Sequence, residues 1–62
     1  MEFSAKIKYV RATLGMTQEK LDNELKVFFT TLNRWERGKA NPSYLALNRF
    51  NEFCIRNKIK FE

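Results

Sequence analysis

The sequence predicts an all-α fold of four to five helices, compact and built as one domain. Three observations support this prediction: apolar residues recur every three or four positions, only two glycines and one proline interrupt that pattern, and the one segment considered as a short strand, residues 58–61, is four residues long. We assign a single domain to residues 1–62, with its core over about 4–57. Residues 58–62 are expected to form a tail or a short strand.

The first predicted helix begins at an N-cap at Ser4 and ends at Gly15, where glycine can adopt the left-handed conformation that closes many helices. Its apolar face consists of Ile7, Val10 and Leu14. The charged side chains expected to face water are Lys6, Lys8 and Arg11. The spacing therefore predicts one buried face and one solvated face.

Residues 17–37 are predicted to form two short helices joined by a tight turn. Thr17 can cap the first helix, in which Leu21 and Leu25 lie four residues apart on one face. The second helix carries a new inward stripe, which consists of Val27, Leu32 and the core residue Trp35. Because the apolar stripe changes direction near residues 26–28, one continuous helix does not fit the pattern.

The last helix is predicted to follow Gly38 and Pro42, with Ser43 as its N-cap. The residues predicted to pack inward are Tyr44, Leu47, Phe50, Cys54 and Ile55, with Phe53 beside them. The residues predicted on its outer face are Asn48, Arg49, Glu52 and Arg56. Helices thus account for most of the chain.

The composition argues against an enzyme and against any cofactor or metal site. The chain has no histidine and one cysteine, Cys54, so His-based acid–base catalysis and metal sites of the His/Cys type are excluded. Neither of the two serines has a base to activate it. A single cysteine forms no internal disulfide, so we expect a cytoplasmic protein.

The charge balance favours an anionic partner. Twelve Lys and Arg residues against seven Asp and Glu residues give a net charge of +5. Nucleic acid is the usual partner of such a protein, although a basic surface without a partner would have the same charge. No apolar run is long enough to cross a membrane, and no pattern indicates a small-molecule ligand. Charge alone therefore leaves a nucleic acid and a basic surface without a partner equally open.

Residues 17–43 carry anchors at fixed spacing, namely Thr17-Gln18, Leu21, Leu25, Val27, Leu32, Trp35-Glu36, Gly38-Lys39 and Pro42-Ser43. This set resembles the helix-turn-helix of the lambda-repressor-like family, also called Cro/cI-type or XRE, and the resemblance covers residues 5–54. It implies sequence-specific DNA binding, a role in transcription regulation and a recognition helix over about 28–36. It also implies a possible homodimer on paired half-sites, with residues 54–61 as the candidate interface.

The resemblance implies DNA contacts residue by residue. The implied base contacts are Phe29, Thr30, Asn33 and Arg34. The implied phosphate contacts are Thr17, Gln18, Arg37, Lys39 and Asn41. Free N–H groups and a positive dipole end make a helix N-terminus a phosphate site, and an arginine can bind guanine O6 and N7 together. The alternatives for Arg34 are a solvated side chain, a partner for Glu36, or a partner for an acidic residue on the preceding helix.

Four positions depart from the family pattern. Asp22 stands where a small residue is usual, and we expect it to tilt outward or to pair with Arg34 or Lys26. Lys26 replaces the turn glycine and Phe28 replaces a Ser or Thr cap, each at a cost of about 1 kcal/mol. Lys20 replaces the glutamate that would complete a capping box.

Two consecutive aromatic residues, Phe28 and Phe29, leave more than one interpretation open. We expect Phe28 to fold into the core while Phe29 alone faces the groove. If both were exposed, they would pack against thymine methyl groups on DNA, or form a protein-binding patch off DNA. The alternative function is therefore a helix-turn-helix protein-interaction module, such as an antitoxin or a restriction-modification accessory protein, with weak or indirect DNA binding.

Overall fold

The computed structural model describes residues 1–61 and contains four helices in this order: α1 (Phe3–Leu14), α2 (Gln18–Leu25), α3 (Phe29–Glu36) and α4 (Tyr44–Arg56). The all-α prediction is confirmed. Residues 58–61 contain no strand, and residue 62, the last position of the predicted tail or strand, lies outside the described residues. Between residues 1 and 61, no helix combines the length and the apolar character that crossing a membrane requires.

All four helices are closed in the same way at their C-terminal ends. A residue with positive φ follows each helix, and these residues are Gly15 (65°), Lys26 (59°), Gly38 (72°) and Lys58 (57°). The next amide donates a hydrogen bond to the carbonyl five residues back, over 2.9 to 3.0 Å. The left-handed conformation predicted for Gly15 and Lys26 is therefore confirmed, and that of Lys58 had no signal in the sequence.

The N-terminal ends are less uniform. Thr17 accepts a hydrogen bond from the Lys20 amide at 3.1 Å, and the Ser43 hydroxyl accepts one from the Ala46 amide at 3.2 Å. Both predicted caps are thus confirmed. The cap predicted at Ser4 is wrong, because α1 already begins at Phe3.

Aromatic packing explains the early start of α1. The Phe3 ring lies edge-on to Trp35, with centroids 5.4 Å apart, and edge-on to Phe50 at 5.0 Å. Because Phe3 is helical, its ring contacts both partners. Such aromatic pairs contribute about 0.5–1.5 kcal/mol of stability beyond that of the buried area. Tertiary contact therefore decides where this helix begins.

A single core joins the four helices. Its buried apolar side chains are Ile7, Val10, Leu21, Leu25, Leu32, Trp35, Phe50, Phe53 and Cys54. Helix α3 packs against α1 and α2, and α2 also packs against α4. Trp35 is 4% exposed, so its predicted place in the core is confirmed.

The inward face of α4 differs from the prediction at both ends. Tyr44 is 82% exposed and Ile55 is 75% exposed, so the prediction that they pack inward is wrong, whereas Phe53 is buried. The buried face is centred on Phe50, Phe53 and Cys54, which have helical i, i+3, i+4 spacing. At 3.6 residues per turn, Tyr44 and Ile55 lie roughly 120–140° around the helix from Phe50.

The tail folds back over the core beside α1. The Phe61 ring stacks near Phe50 with centroids 6.1 Å apart, and the Lys6 Nζ atom lies 5.2 Å from the Phe61 centroid. Lys6 is therefore half-buried and does not simply face water as predicted. Burial raises the pKa of the nearby Cys54 thiol, and the positive charge of Lys6 only partly offsets that effect.

A buried ion pair joins α1 to the end of α3. The Arg11 Nε atom donates to Glu36 Oε2 at 2.7 Å, and a second Arg11 nitrogen donates to Oε1 at 3.1 Å. Glu36 is 6% exposed and Arg11 is 28% exposed. The prediction that Arg11 faces water is wrong, because this buried carboxylate attracts it. No other ion pair forms within residues 1–61.

We expect Arg11→Met to lower the free energy of unfolding by about 2–3 kcal/mol, because it leaves the Glu36 carboxylate buried without a counter-charge. The loss is smaller than the 3–5 kcal/mol of fully buried pairs, since Arg11 keeps some solvent contact. Urea denaturation followed by circular dichroism measures the change.

Lys8→Met is the matched control, because Lys8 is an exposed cation on the same helix. Its effect should stay within about 0.5 kcal/mol. The double variant Arg11→Met/Glu36→Gln should lose less stability than the sum of its two single variants. Equal losses in Arg11→Met and Lys8→Met would contradict a structural role for the pair.

Candidate nucleic-acid interface

Helices α2 and α3 and the turn between them form the candidate interface. The turn has the two irregularities predicted from its sequence: Lys26 has φ 59°, and Phe28 is an extended N-cap without a side-chain hydrogen bond. Four buried side chains anchor the two helices beneath the turn, namely Leu21, Leu25, Leu32 and Trp35. Burial of these residues, and not the local turn chemistry, sets the geometry of the helix pair.

Asp22 lies at the packed face of α2. It is 5% exposed and forms no ion pair among the described residues, so the prediction that it tilts outward or pairs with Arg34 or Lys26 is wrong. Its position beside Leu21 places it on the face that packs into the fold. The Asp22 side chain makes no hydrogen bond within residues 1–61, and no fully enclosed side-chain oxygen or nitrogen there lacks a partner, so the carboxylate oxygens keep a small contact with solvent.

The outward face of α3 brings most of the predicted base-contact residues together. Thr30 and Arg34 are exposed and lie four residues apart, which places them on the same side of the helix. Phe29, at the first helical position, is 53% exposed. Asn33 is only half exposed, and its amide donates to Gln18 Oε1 at 3.4 Å.

The start of α2 holds the first pair of predicted phosphate-contact residues. The Thr17 hydroxyl oxygen accepts the Lys20 amide hydrogen, so its own O–H remains able to donate. Gln18 accepts through Oε1 from Asn33, so its NH2 group also remains able to donate. The Gln18–Asn33 contact therefore couples the start of α2 to α3 and leaves donors for an anion.

The segment after α3 holds the other predicted phosphate-contact residues. Arg37, Lys39 and Asn41 are all exposed there. The Lys39 amide donates to the Arg34 carbonyl at 2.9 Å, so this segment turns directly at the end of α3. The exposed cations around the helix pair are Lys20, Lys26, Arg34, Arg37 and Lys39.

The alternative pairing of Arg34 with Glu36 does not occur. Arg11 occupies both Glu36 oxygens, and Arg34 makes no ion pair within the described part of the chain. Its guanidinium is therefore free to meet another anion or a hydrogen-bond acceptor. Sequence reasoning missed the Arg11–Glu36 pair, and the available signal was an acidic residue directly after the core residue Trp35.

Phe28 lies outside the core, contrary to expectation. It is 82% exposed, because the extended segment before α3 turns Val27 and not Phe28 toward the core. A cleft of about 390 Å³ opens beside Phe28, between the start of α3 and the start of α4. The side chains that line it include Lys26, Val27, Trp35, Leu45 and Arg49. Two exposed aromatic residues therefore precede Thr30.

Comparison with known proteins agrees with this architecture. The sequence profile of a family described as helix-turn-helix matches residues 7–54. The HTH-type transcriptional activator BcrR of Enterococcus faecalis is 36% identical over 53 residues, which are 86% of this chain and 26% of that protein. The chain thus spans about a quarter of the length of that relative. No solved structure matches the chain.

We expect Lys26→Gly to raise the free energy of unfolding by about 1 kcal/mol, because glycine adopts positive φ without a Cβ clash. The melting temperature should rise by about 4–8 °C, the usual shift for a domain of this size. Thermal denaturation followed by circular dichroism provides the measurement.

Lys20→Gly serves as the opposite control. Lys20 lies within α2, where glycine should destabilise the fold by about 1 kcal/mol. If Lys26→Gly lowered the free energy of unfolding as Lys20→Gly does, the positive φ of Lys26 would not strain this turn.

Proposed function

The chain belongs to the lambda-repressor-like (XRE) helix-turn-helix family, and from this premise we propose that it is a transcription regulator that binds double-stranded DNA sequence-specifically. The observation that carries the proposal is the division of α3 into two faces. Leu32, Trp35 and Glu36 are buried, whereas Thr30 and Arg34 on the opposite side are exposed, and Phe29 is exposed at the first helical position. A helix anchored in this way can present its outer face to the major groove.

Base recognition is assigned to the outer face of α3, over about 28–36. Arg34 can donate two hydrogen bonds to guanine O6 and N7, the commonest specific contact in the major groove. Thr30 can donate to or accept from a base edge, and Phe29 offers an apolar contact. Asn33 is assigned a mixed role, because its amide also meets Gln18.

Phosphate binding is assigned to two regions that flank α3. Thr17 and Gln18 combine free side-chain donors with the N-terminus of α2. Arg37, Lys39 and Asn41 supply exposed donors in the segment after α3. Such contacts position the protein on DNA and make binding salt-dependent, while base contacts provide sequence preference.

Regulation of transcription is supported by the relative in Enterococcus faecalis, which is a transcriptional activator. A homodimer on half-sites about 34 Å apart remains part of the proposal. Within the candidate interface over 54–61, Cys54 is buried and the described residues Ile59 and Phe61 pack onto the core. Ile55, at 75% exposure, is the large apolar side chain that this region offers to a second copy.

A protein-interaction module is the second candidate function. The exposure of Phe28 and Leu45 beside a cleft favours it, because exposed apolar patches mark binding surfaces. Under this alternative, binding to DNA would be weak or indirect. Fluorescence anisotropy with a labelled random-sequence duplex separates the two: absence of binding at about 50 mM salt would exclude the DNA-binding proposal.

We expect Lys39→Ala to weaken binding to all duplexes alike and to reduce the slope of log K against log salt by about 0.9, the value for one lost phosphate contact. Anisotropy titrations between about 50 and 200 mM salt measure this slope. Lys60→Ala removes an exposed cation from the tail and should leave the slope unchanged. A slope that both variants lower equally would reflect net charge and not a phosphate contact.

We expect Arg34→Ala to abolish a guanine preference at one position of the site, a discrimination of about 1–3 kcal/mol. Selection of preferred duplexes from a random pool, with wild type and variant in parallel, measures this preference. Arg37→Ala is the matched control, because loss of a phosphate contact should weaken binding without changing the selected sequence. An unchanged guanine preference in Arg34→Ala would contradict the assignment.

A further inference from the structure

We propose that Phe28 and Phe29 read the C5-methyl groups of thymines, so that the preferred half-site holds thymine beside the guanine that Arg34 contacts. This inference rests on the proposed DNA binding and specifies what that interface recognises. Phe28, the N-cap, and Phe29, the first helical residue, directly precede Thr30, and both side chains are exposed at the N-terminal end of α3.

The fold does not need either ring. Phe28 is 82% exposed and provides no side-chain hydrogen bond to cap α3, and Phe29 is 53% exposed. Neither belongs to the core or packs against it as a partly buried residue. Two consecutive phenylalanines therefore expose apolar surface at the N-terminal end of α3. In this type of domain, the N-terminal residues of the recognition helix reach the base edges.

The chemistry of the major groove selects a partner for such a surface. A phenylalanine side chain can neither donate nor accept a conventional hydrogen bond, so it gains nothing from a polar base edge. The C5-methyl group of thymine is the apolar group that bases display in the major groove. Contact with it removes exposed aromatic surface from water and discriminates thymine from the other three bases.

The electrostatic surroundings favour DNA over an apolar protein partner. Lys26 precedes Phe28 by two residues, Arg34 follows Phe29 by five, and both cations are exposed and without ion pairs in the described chain. These exposed cations precede and follow the two rings in the sequence, and they supply the positive charge that attracts phosphate backbones. An uncharged apolar partner would gain nothing from them.

The helix geometry limits the spacing of the two kinds of contact. Phe29 and Arg34 are five residues apart, which separates them by about 7.5 Å along the helix axis and by roughly 140° around it, so the ring and the guanidinium approach the groove from different sides of α3. Base pairs are stacked at about 3.4 Å, so this distance corresponds to roughly two base-pair steps. Thymine and guanine recognition should therefore fall within one half-site.

Replacement of thymine by uracil tests the inference, because it removes the methyl group and keeps base pairing. A duplex selected from the random pool is resynthesised with deoxyuridine at one thymine at a time, and its affinity is measured by anisotropy. We expect about a fourfold loss at each methyl that contacts a ring, since burial of one such group is worth about 0.8 kcal/mol and 1.4 kcal/mol is tenfold. Other thymines should tolerate the change.

Two variants identify the ring responsible. Each of the variants Phe28→Ala and Phe29→Ala should lose the preference for thymine over uracil at one of the sensitive positions. Circular dichroism should show an intact fold, because both side chains are exposed. Tyr44→Ala is the matched control, since Tyr44 is an aromatic side chain outside α3 that is as exposed as Phe28, at 82%. It should retain the full fourfold preference for thymine.

Three results would overturn the inference, and they differ in whether they also exclude the proposed function. Salt-dependent binding with equal affinity for thymine and uracil at every position would exclude methyl recognition and leave the proposed function intact. Absence of binding to any duplex at low salt would exclude both. A thymine preference that persists in both phenylalanine variants would also exclude a role for these rings.

Discussion

The carboxylate of Glu36 is buried at the end of α3, and the position of the whole candidate interface depends on how its charge is compensated. Arg11 supplies two hydrogen bonds to it, and the same guanidinium reaches the Met16 carbonyl at 3.4 Å. One side chain thus contacts the end of α3 and the junction before α2. Because an unpaired buried carboxylate is strongly destabilising, the pair restricts the relative positions of these segments.

The turn between α2 and α3 shows how tertiary packing outweighs local preference. Lys26 is strained at positive φ and Phe28 leaves α3 without a side-chain cap, so the turn forgoes about 2 kcal/mol of local stabilisation. Leu21, Leu25, Leu32 and Trp35 are nevertheless buried on the two helices. Burial of each such side chain contributes about 1.5–3 kcal/mol, which exceeds the local deficit.

The candidate site was predictable in outline, because its residues follow from a helical repeat and from spaced anchors along the chain. Thr30 and Arg34 share the outer face of α3 as expected. The structure changes the role of Asn33, whose amide meets Gln18, and the position of Phe28, which remains in solvent. The first change arises from a neighbour distant in sequence, and the second from competition for space in the core. The spacing of apolar residues predicts neither.

The sequence by itself determined the helices, the turn near residues 26–28, the left-handed end at Gly15 and the burial of Trp35, because these features depend on local backbone preference and on apolar spacing. The tertiary structure alone decided that Arg11 and Phe28 take positions that the spacing did not predict. Arg11 turns inward because Glu36 is there to meet it, and Phe28 stays outside because Val27 packs against the core in its place. Such outcomes depend on which side chain fills a shared space, and that is settled only when the helices pack together.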